Sequence, residues 1–563
     1  MTMRILVLQT TRMGDVLQTS PLIHGIRLNH PDAHITVMVR NMGNVIAQRN
    51  PDVNDIIVYE EDDMFLDARS EDSDRFLRAY HTADGLLRRL RNESFDMAYN
   101  CTHSISSAML LKLAEIPQVI GSHLTDDWQF VLRGAWINYF YTSIFHREYN
   151  DLNLCDITRH FVENAPPCPE LLFRVTDEDG AFVHQLFDSH CVAADDFVAC
   201  FQLGASEENK RWSEAHFAAL GRMLRDRRNA KIFLVGVKEE EPLGNAFEQQ
   251  APGVAIPLYG RTTLPQLAAL LSRSNLLVTN DTGTMHLAAA VKCPILLVSV
   301  GYVHFRETGP YGVGHCAIEY HRAALGRADG VPGGLEERTA IRPEQVLRAV
   351  DLLLAANTAS PVPQIDVEPE LAEVDLFMTR FAADGCLEWY PVLRRPLTQK
   401  DLLRIAYRAM WLEHLGAQDD PDTERVSLET MLRYFDQADD ESIVAWRDAL
   451  TEVFGQLAAL AQRGIRDSQH LLDTLCPPRD MRKAQRIMGA LVALDEEMRI
   501  FGEIHTACKP LVLISRYERD NLEGDDPNTL ARTTFQIYSD CHSRATLTAR
   551  KIEHILDVLP GPL

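Results

Sequence analysis

The chain has 563 residues, of which 46% are hydrophobic and 24% are charged, and its formal net charge is −24. Because nucleic acids and anionic membranes attract clustered Lys and Arg, this charge argues against nucleic acid as a main partner and against strong constitutive membrane binding. The length predicts about three domains.

The sequence also indicates where the protein works. No apolar run approaches the roughly 20 residues that span a bilayer, and the N-terminus lacks the cleavage site of a signal peptide. We therefore expect a cytoplasmic protein. The 11 cysteines include no CxxC pair and no zinc-finger spacing, which favours buried thiols in a reducing compartment over a metal site.

The first third alternates short apolar runs with amphipathic stretches, which predicts a Rossmann-like parallel sheet covered by helices. The predicted strands are Arg4–Leu8, His34–Val39, Asp55–Tyr59, Asp96–Tyr99 and Gln118–Gly121, with helices at Pro21–Asn29, Asp74–Arg91 and Ser106–Ala114. The aromatic-rich segment Asp126–Ala165 breaks this pattern. It is either a helical crossover packed on the core or a surface that faces an acceptor or a membrane.

A second run of the same kind follows. Its predicted strands are Phe197–Gln202, Lys231–Val235, Val254–Leu258, Asn275–Thr279 and Pro294–Val300, with helices at Ser213–Arg225, Leu264–Ser272, Thr284–Val291 and Arg342–Ala355. Two Rossmann-like domains in tandem, residues 1–168 and 169–357, predict an α/β protein of GT-B architecture with both domains facing a cleft.

The last third differs in pattern. Residues 358–369 are Pro-containing and poor in apolar residues, so they are predicted to be a linker. Residues 370–563 have helical periodicity throughout, which predicts a separate α-helical domain. The clearest helical stretches are Lys400–Leu415, Ser442–Arg463, Asp480–His505 and Ala531–Leu559.

Three turns after predicted strands carry candidate chemistry. The first, LQTTRMGDVLQ, contains Gly14 and Asp15. An ionised carboxylate at the carboxyl edge of a parallel sheet can serve as a general base, although Asp15 can equally be a helix cap.

The second turn, FQLGASEENKRW, combines the small residues Gly204, Ala205 and Ser206 with the cations Lys210 and Arg211. Its backbone can approach a phosphate closely. The alternative is a solvated Lys-Arg pair before a helix that Ser213 caps.

The third turn, TNDTGTMHLAAAV, is the strongest signal. Asp281, Thr282 and Gly283 end a buried strand and open an Ala-rich helix, whose N-terminus attracts anions. The hydroxyls of Thr282 and Thr284 can donate to phosphate oxygens. His286 follows in the first turn, where it is either a ligand-facing residue or a satisfied core histidine.

These motifs resemble those of glycosyltransferase family 9, whose best-known members are the ADP-heptose:lipopolysaccharide heptosyltransferases. The resemblance covers RILVLQTTRMGDVLQTSPL, GASEENKRWSEAHF and TNDTGTMHLAAAVKCPILLV, followed by FRETGPYGVGH, over roughly the first 350 residues. It implies a GT-B fold, an inverting mechanism and no metal or other cofactor, with a nucleotide-diphosphate sugar such as ADP-heptose as the co-substrate.

The resemblance also implies roles for single residues. It makes Asp15, beside Gly14, the catalytic base. It places Lys210 at the nucleotide diphosphate or the ribose and Ser206 at the phosphate loop, and it implies that Glu240 (or its neighbour Glu239) holds the ribose. Asp281, Thr282, Gly283 and His286 would bind the diphosphate and the donor sugar. Ala205 and Ser206 stand where some members have threonines, so this turn has one hydroxyl fewer.

We therefore expect transfer of a heptose or related sugar to a lipopolysaccharide core or another surface glycan. Alternatives are a protein O-glycosyltransferase of the same family, a GT-B nucleotide-sugar epimerase, or a non-catalytic nucleotide-sugar-binding assembly protein. The expected partners are the nucleotide sugar and a glycolipid or protein acceptor. Peripheral contact with the inner membrane and homo-oligomerisation through the helical domain are further hypotheses.

Overall fold

The computed structural model describes residues 2–301, 303–321, 338–356, 364–417, 420–436, 440–477 and 480–559. The strands are β1 (Arg4–Leu8), β2 (His34–Val39), β3 (Asp55–Val58), β4 (Met97–Asn100), β5 (Gln118–Leu124), β6 (Phe130–Arg133), β7 (Val198–Gln202), β8 (Lys231–Val235), β9 (Ala255–Pro257), β10 (Leu276–Thr279), β11 (Ile295–Ser299), β12 (Cys316–Tyr320), β13 (Val374–Phe381), β14 (Leu387–Pro391), β15 (Arg395–Pro396) and β16 (Phe435–Asp436).

The α-helices are α1 (Met13–Gln18), α2 (Ser20–Asn29), α3 (Asn41–Gln48), α4 (Glu61–Ala68), α5 (Ser73–Glu93), α6 (Ile105–Leu113), α7 (Ala135–Ser143), α8 (Leu154–Arg159), α9 (Asp177–Ser189), α10 (Glu214–Arg228), α11 (Glu241–Gln250), α12 (Leu264–Ser272), α13 (Gly283–Ala290), α14 (Phe305–Thr308), α15 (Pro343–Ala356), α16 (Gln399–His414), α17 (Pro421–Leu432), α18 (Asp440–Leu475), α19 (Met481–Ile504), α20 (Lys509–Asp520) and α21 (Pro527–Val558). In the described ranges, no helix combines the length and apolarity needed to cross a membrane.

The chain divides into two compact units. The first comprises Met1–Met3, Gln9–Arg69 and Leu152–Arg395, and the second comprises Arg4–Leu8, Ser70–Asp151 and Pro396–Leu563.

The first unit contains the parallel pair β2–β3 and an eight-stranded sheet in the order β14-β13-β12-β11-β10-β7-β8-β9. The neighbours in the run β12-β11-β10-β7-β8-β9 are all parallel. Strands β13 and β14 extend the sheet beyond β12 in antiparallel orientation. Every residue of β7, β10 and β11 is buried, because helices cover both faces of a parallel sheet and the strands can be apolar throughout.

Strands β13 and β14 correct one expectation. The sequence predicted helical structure throughout 370–563, yet residues 374–381 and 387–391 are strands. In β13, buried and half-buried side chains largely alternate, which is the period of a strand and not of a helix. Of the predicted linker, residues 358–363 lie outside the described residues. The first α-helix of this region begins at Gln399, and α16–α21 then account for most of the remaining chain.

The second unit combines part of an α/β sheet with these helices. Strands β1, β4 and β5 are parallel neighbours, and β6 pairs with β5 in antiparallel orientation. Helix α18 packs along α21 and α19, while α20 packs against α7. The turn after α20 reaches β6, where Asn521 Oδ1 accepts from the Leu132 amide at 2.9 Å and Arg133 pairs with Glu523.

The aromatic segment is not a purely helical crossover, because β6 lies within it. Its aromatic side chains Trp136 and Tyr139 are in the core, where they are 7% and 1% exposed. Trp128 and Phe145 are about half exposed. The packing interpretation therefore holds for Trp136 and Tyr139, and the interpretation as a binding surface concerns Trp128 and Phe145.

Candidate functional site

Three neighbouring strands of the first unit end at the same edge of their sheet. β7 lies between β10 and β8, and all three are parallel. The turns that follow them, 203–210, 236–240 and 280–283, therefore start at the same carboxyl edge, where α/β sheets bind ligands. These turns contain all but three of the predicted site residues.

Asn280 fixes the turn after β7 and was not singled out from the sequence. It is fully buried, and its Nδ2 donates to the carbonyls of Leu203 at 2.9 Å and Gly204 at 3.2 Å. Its Oδ1 accepts from the Trp212 amide at 2.9 Å. The Asn280 side chain thus bonds two carbonyls of the turn after β7 and one amide of the segment that carries Lys210. These bonds hold the end of β10, the end of β7 and that segment together.

Glu240 occupies a slot between two glycines. Its Oε2 accepts from the Val237 amide at 3.0 Å and from Gln202 Nε2 at 3.0 Å. The space that a Cβ would fill on Gly204 contains Glu240 Oε1, and that on Gly236 contains Oε2. Any side chain at either glycine would displace the carboxylate, which is half-buried.

Helix α13 begins at Gly283, with Thr282 as its N-cap in extended conformation. The Thr284 hydroxyl donates to Gln202 Oε1 at 3.2 Å and is 9% exposed. The Thr284 hydroxyl thus donates its hydrogen bond within the protein, and it does not donate to a phosphate as the sequence had suggested. Thr282 and Asp281 are half-buried at the helix end.

His286 is buried beneath this helix end. Burial lowers the pKa of its imidazole, and the carboxylates of Asp281 and Asp15 act in the opposite direction. Its Nδ1 is buried without a hydrogen-bond partner among the described residues. A buried polar atom of this kind is costly, and it leaves a bonding position that a ligand could satisfy.

The turn that begins α1 lies against the turn that begins α13. A Cβ on Gly14 would come within 2.7 Å of His286 Cδ2, and one on Gly283 would overlap Met13 Cε. The turn of Gly14 and the turn of Gly283 are therefore in contact. Asp15 is half-buried, and its Oδ2 accepts from the Arg12 amide at 3.0 Å, so the capping interaction considered from sequence is present as well.

Ser206 and Lys210 lie on the turn after β7 but contact none of the other predicted residues through a described hydrogen bond. Ser206 is exposed. The Lys210 side chain is 16% exposed and its ammonium is 3.5 Å from Glu207. Behind this turn, Gly301 has a φ of +67°, and a Cβ there would lie 2.5 Å from the Asn209 carbonyl oxygen. Only a glycine therefore fits at position 301.

The architecture is that of the GT-B class of glycosyltransferases. The crystal structure of the glycosyl transferase family 9 from Veillonella parvula DSM 2008 superposes on this protein with a TM-score of 0.50 and 20% sequence identity. The superposition covers 63% of this chain and 97% of that one. Residues 85–324 match the model of glycosyltransferase family 9 (heptosyltransferase). Residues 85–324 thus match a family 9 glycosyltransferase domain, and this match includes the second and third motifs on which the resemblance was based.

Two curated relatives agree. Lipopolysaccharide heptosyltransferase 2 of Escherichia coli (strain K12) is 25% identical over 378 residues, 63% of this chain and 100% of its own length. Lipooligosaccharide heptosyltransferase 2 of Haemophilus influenzae (strain ATCC 51907 / DSM 11121 / KW20 / Rd) is 26% identical over 52% of this chain and 82% of its own length. The chain is a glycosyltransferase, and over a third of it lies outside these matches.

Proposed function

We propose that this protein transfers a heptose or a related sugar, with inversion and without a metal, from a nucleoside-diphosphate donor to a lipopolysaccharide core or another surface glycan. The observation that carries the proposal is the contact between the Gly14 turn and the α13 end through His286. It brings a carboxylate and a positively polarised helix end to one place. The two curated relatives are named heptosyltransferases, which supports a heptose as the transferred sugar, and the motif resemblance supports ADP-heptose as its donor.

Asp15 is the base in this proposal. Oδ2 holds the Arg12 amide, and Oδ1 takes the proton of the acceptor hydroxyl. The acceptor oxygen then forms a bond to the anomeric carbon from the face opposite the diphosphate. The bond from that carbon to the diphosphate breaks, and its electron pair leaves with the phosphate oxygen.

The departing diphosphate needs positive potential but no covalent partner. The amides of the first turn of α13 and the Thr282 hydroxyl face it, and the helix dipole adds to their effect. Lys210 and Ser206 contact the phosphates from the turn after β7. His286 is neutral at pH 7 because burial lowers its pKa, so it offers a hydrogen bond and not a charge.

The remaining residues hold the donor. Glu240 accepts hydrogen bonds from the ribose hydroxyls, and Asp281 accepts from hydroxyls of the transferred sugar. Since Asp281 would repel the diphosphate, it acts on the sugar side of the helix end. We also propose a cytoplasmic site of action, in keeping with 11 free thiols, which a reducing compartment preserves.

The decisive experiment compares Asp15→Asn with the wild type. Release of nucleoside diphosphate from ADP-heptose is measured with and without a deacylated lipopolysaccharide core. Removing a general base should lower kcat by at least about 100-fold while ADP still raises the melting temperature. Asp226→Asn, an exposed site on α10, is the matched control. Normal turnover of Asp15→Asn would remove this residue from the mechanism.

A further inference from the structure

Gln202 links two parts of the site that are separate in sequence. It is the last residue of β7 and is 3% exposed. Its Nε2 donates to Glu240 Oε2 at 3.0 Å, and its Oε1 accepts from the Thr284 hydroxyl at 3.2 Å. One side chain therefore bridges the turn after β8 and the first turn of α13.

The amide can face only one way. A carboxylate accepts hydrogen bonds and cannot donate them, so the NH2 group must point to Glu240 and the carbonyl to Thr284. With Oε2 already bonded to Gln202 and to the Val237 amide, the carboxylate keeps Oε1 as the oxygen available to a hydroxyl. The glycines at positions 204 and 236 leave the carboxylate in this slot.

We propose that Gln202 is a positioning residue that sets Glu240 for the hydroxyls of a ribonucleoside. Through Thr284 it also joins this recognition to the helix end that receives the diphosphate. The inference rests on the proposed role of Glu240. If Gln202 positions Glu240, the protein should prefer a ribonucleotide over its 2′-deoxy analogue. This preference should depend on Gln202 although Gln202 does not touch the ligand.

The test uses ADP and 2′-deoxy-ADP as probes in calorimetric titrations of the full chain. The wild type should bind ADP about 10-fold more tightly than 2′-deoxy-ADP, the value of a hydrogen bond to a charged group. In Gln202→Met the affinity for ADP should fall about 10-fold, and that for 2′-deoxy-ADP should change less than about 2-fold. With ADP-heptose, KM should rise while kcat stays nearly constant.

Two further variants identify the cause. In a Glu240→Ala background, Gln202→Met should have no added effect on the selectivity, because the side chain that Gln202 positions is absent. Gln202→Glu places two carboxylates together, so ADP affinity should fall at pH 8 and recover as the pH is lowered. Gln249→Glu, an exposed site on α11, is the control. If Gln202→Met does not fold, Thr284→Val removes one end of the bridge and should reduce the selectivity in part.

The outcomes separate the inference from the function. Equal loss of affinity for both nucleotides, or unchanged selectivity in Gln202→Met, overturns the positioning role. Suppose that the wild type prefers ADP, that the Glu240→Ala variant loses this preference and that Gln202→Met keeps it. The proposed function then stands and the inference about Gln202 fails. If the wild type binds no nucleoside diphosphate at all, the proposed function itself fails.

Discussion

Gly14 and His286 are in van der Waals contact, and the contact leaves no room for a methyl group on Gly14. A Cβ there would come within 2.7 Å of His286 Cδ2 and 3.3 Å of Nε2. Gly14 has no left-handed backbone conformation in the structure, so the constraint is one of space and not of backbone geometry. A glycine is thus needed at position 14 because the His286 side chain, about 270 positions further along the chain, occupies the space of a Cβ.

This contact predicts the behaviour of Gly14→Ala. The variant should lose about 1–3 kcal/mol of unfolding free energy from overpacking and most of its transfer activity, since α1 must move from α13. Gly14→Ala/His286→Ala should regain stability but not activity. In Gly85→Ala, where the added Cβ meets nothing within 4 Å, stability should stay the same or rise by about 1 kcal/mol. Urea unfolding measures all four proteins.

Asn280 supports a second prediction. Asn280→Asp cannot donate to the carbonyls of Leu203 and Gly204, and it buries a charge. We expect a loss of about 2–4 kcal/mol in stability and weaker ADP binding, because the turn that carries Lys210 is released. Asn245→Asp, exposed on α11, should leave both unchanged. A stable Asn280→Asp with normal ADP affinity would contradict the role given to this amide.

The sequence predicted the strands of both sheets best where they are continuous and buried. β1, β2 and β8 have the predicted bounds, β7 and β10 differ by one residue at one end, and β11 is one residue shorter at each end. It failed at β6, β12, β13 and β14. Of these, β6, β13 and β14 pair in antiparallel orientation, and all four have residues that are only half-buried. Such strands lack the apolar run that marks a central parallel strand.

The site shows the same limit. Turns such as Gly14-Asp15 and Asp281-Thr282-Gly283 are visible in sequence because glycine and polar residues follow an apolar strand. Gln202 and Asn280 were not identified, since their importance comes from which strands flank β7 in the sheet. That order, β10-β7-β8, is a property of the folded topology and is not written in either local segment.

The helical region yields a third prediction, because it shares a unit with β1 and β4–β6. Asn521→Ala removes the partner of the Leu132 amide on strand β6 and should cost about 1–3 kcal/mol. Gln536→Ala, exposed on α21, should cost less than about 0.5 kcal/mol. Truncation after Arg395 should leave β6 and α7 without the cover of α20 and yield insoluble protein. A soluble, active truncation would show that the helices are dispensable for folding.

His146 makes stability depend on pH. Burial lowers the pKa of its imidazole to about 4, with a smaller contribution from the charge of Lys509 and an opposing one from its own backbone. Neither ring nitrogen is hydrogen-bonded to another described residue. In the unfolded chain the group titrates near about 6.5. Between these values the unfolded state binds more protons, so stability is retained above about pH 6.5 and falls as the pH is lowered toward 4.

The corresponding experiment compares the wild type with His146→Leu at pH 7 and pH 5. From pH 7 to pH 5 the wild type should lose about 2 kcal/mol more than the variant, because leucine does not titrate. The comparison cancels the contributions of the other histidines, which both proteins share. His542→Leu, at a partly exposed position on α21, should follow the wild type. If wild type and His146→Leu lost equal stability on acidification, His146 would already be protonated, or solvated, in the folded protein.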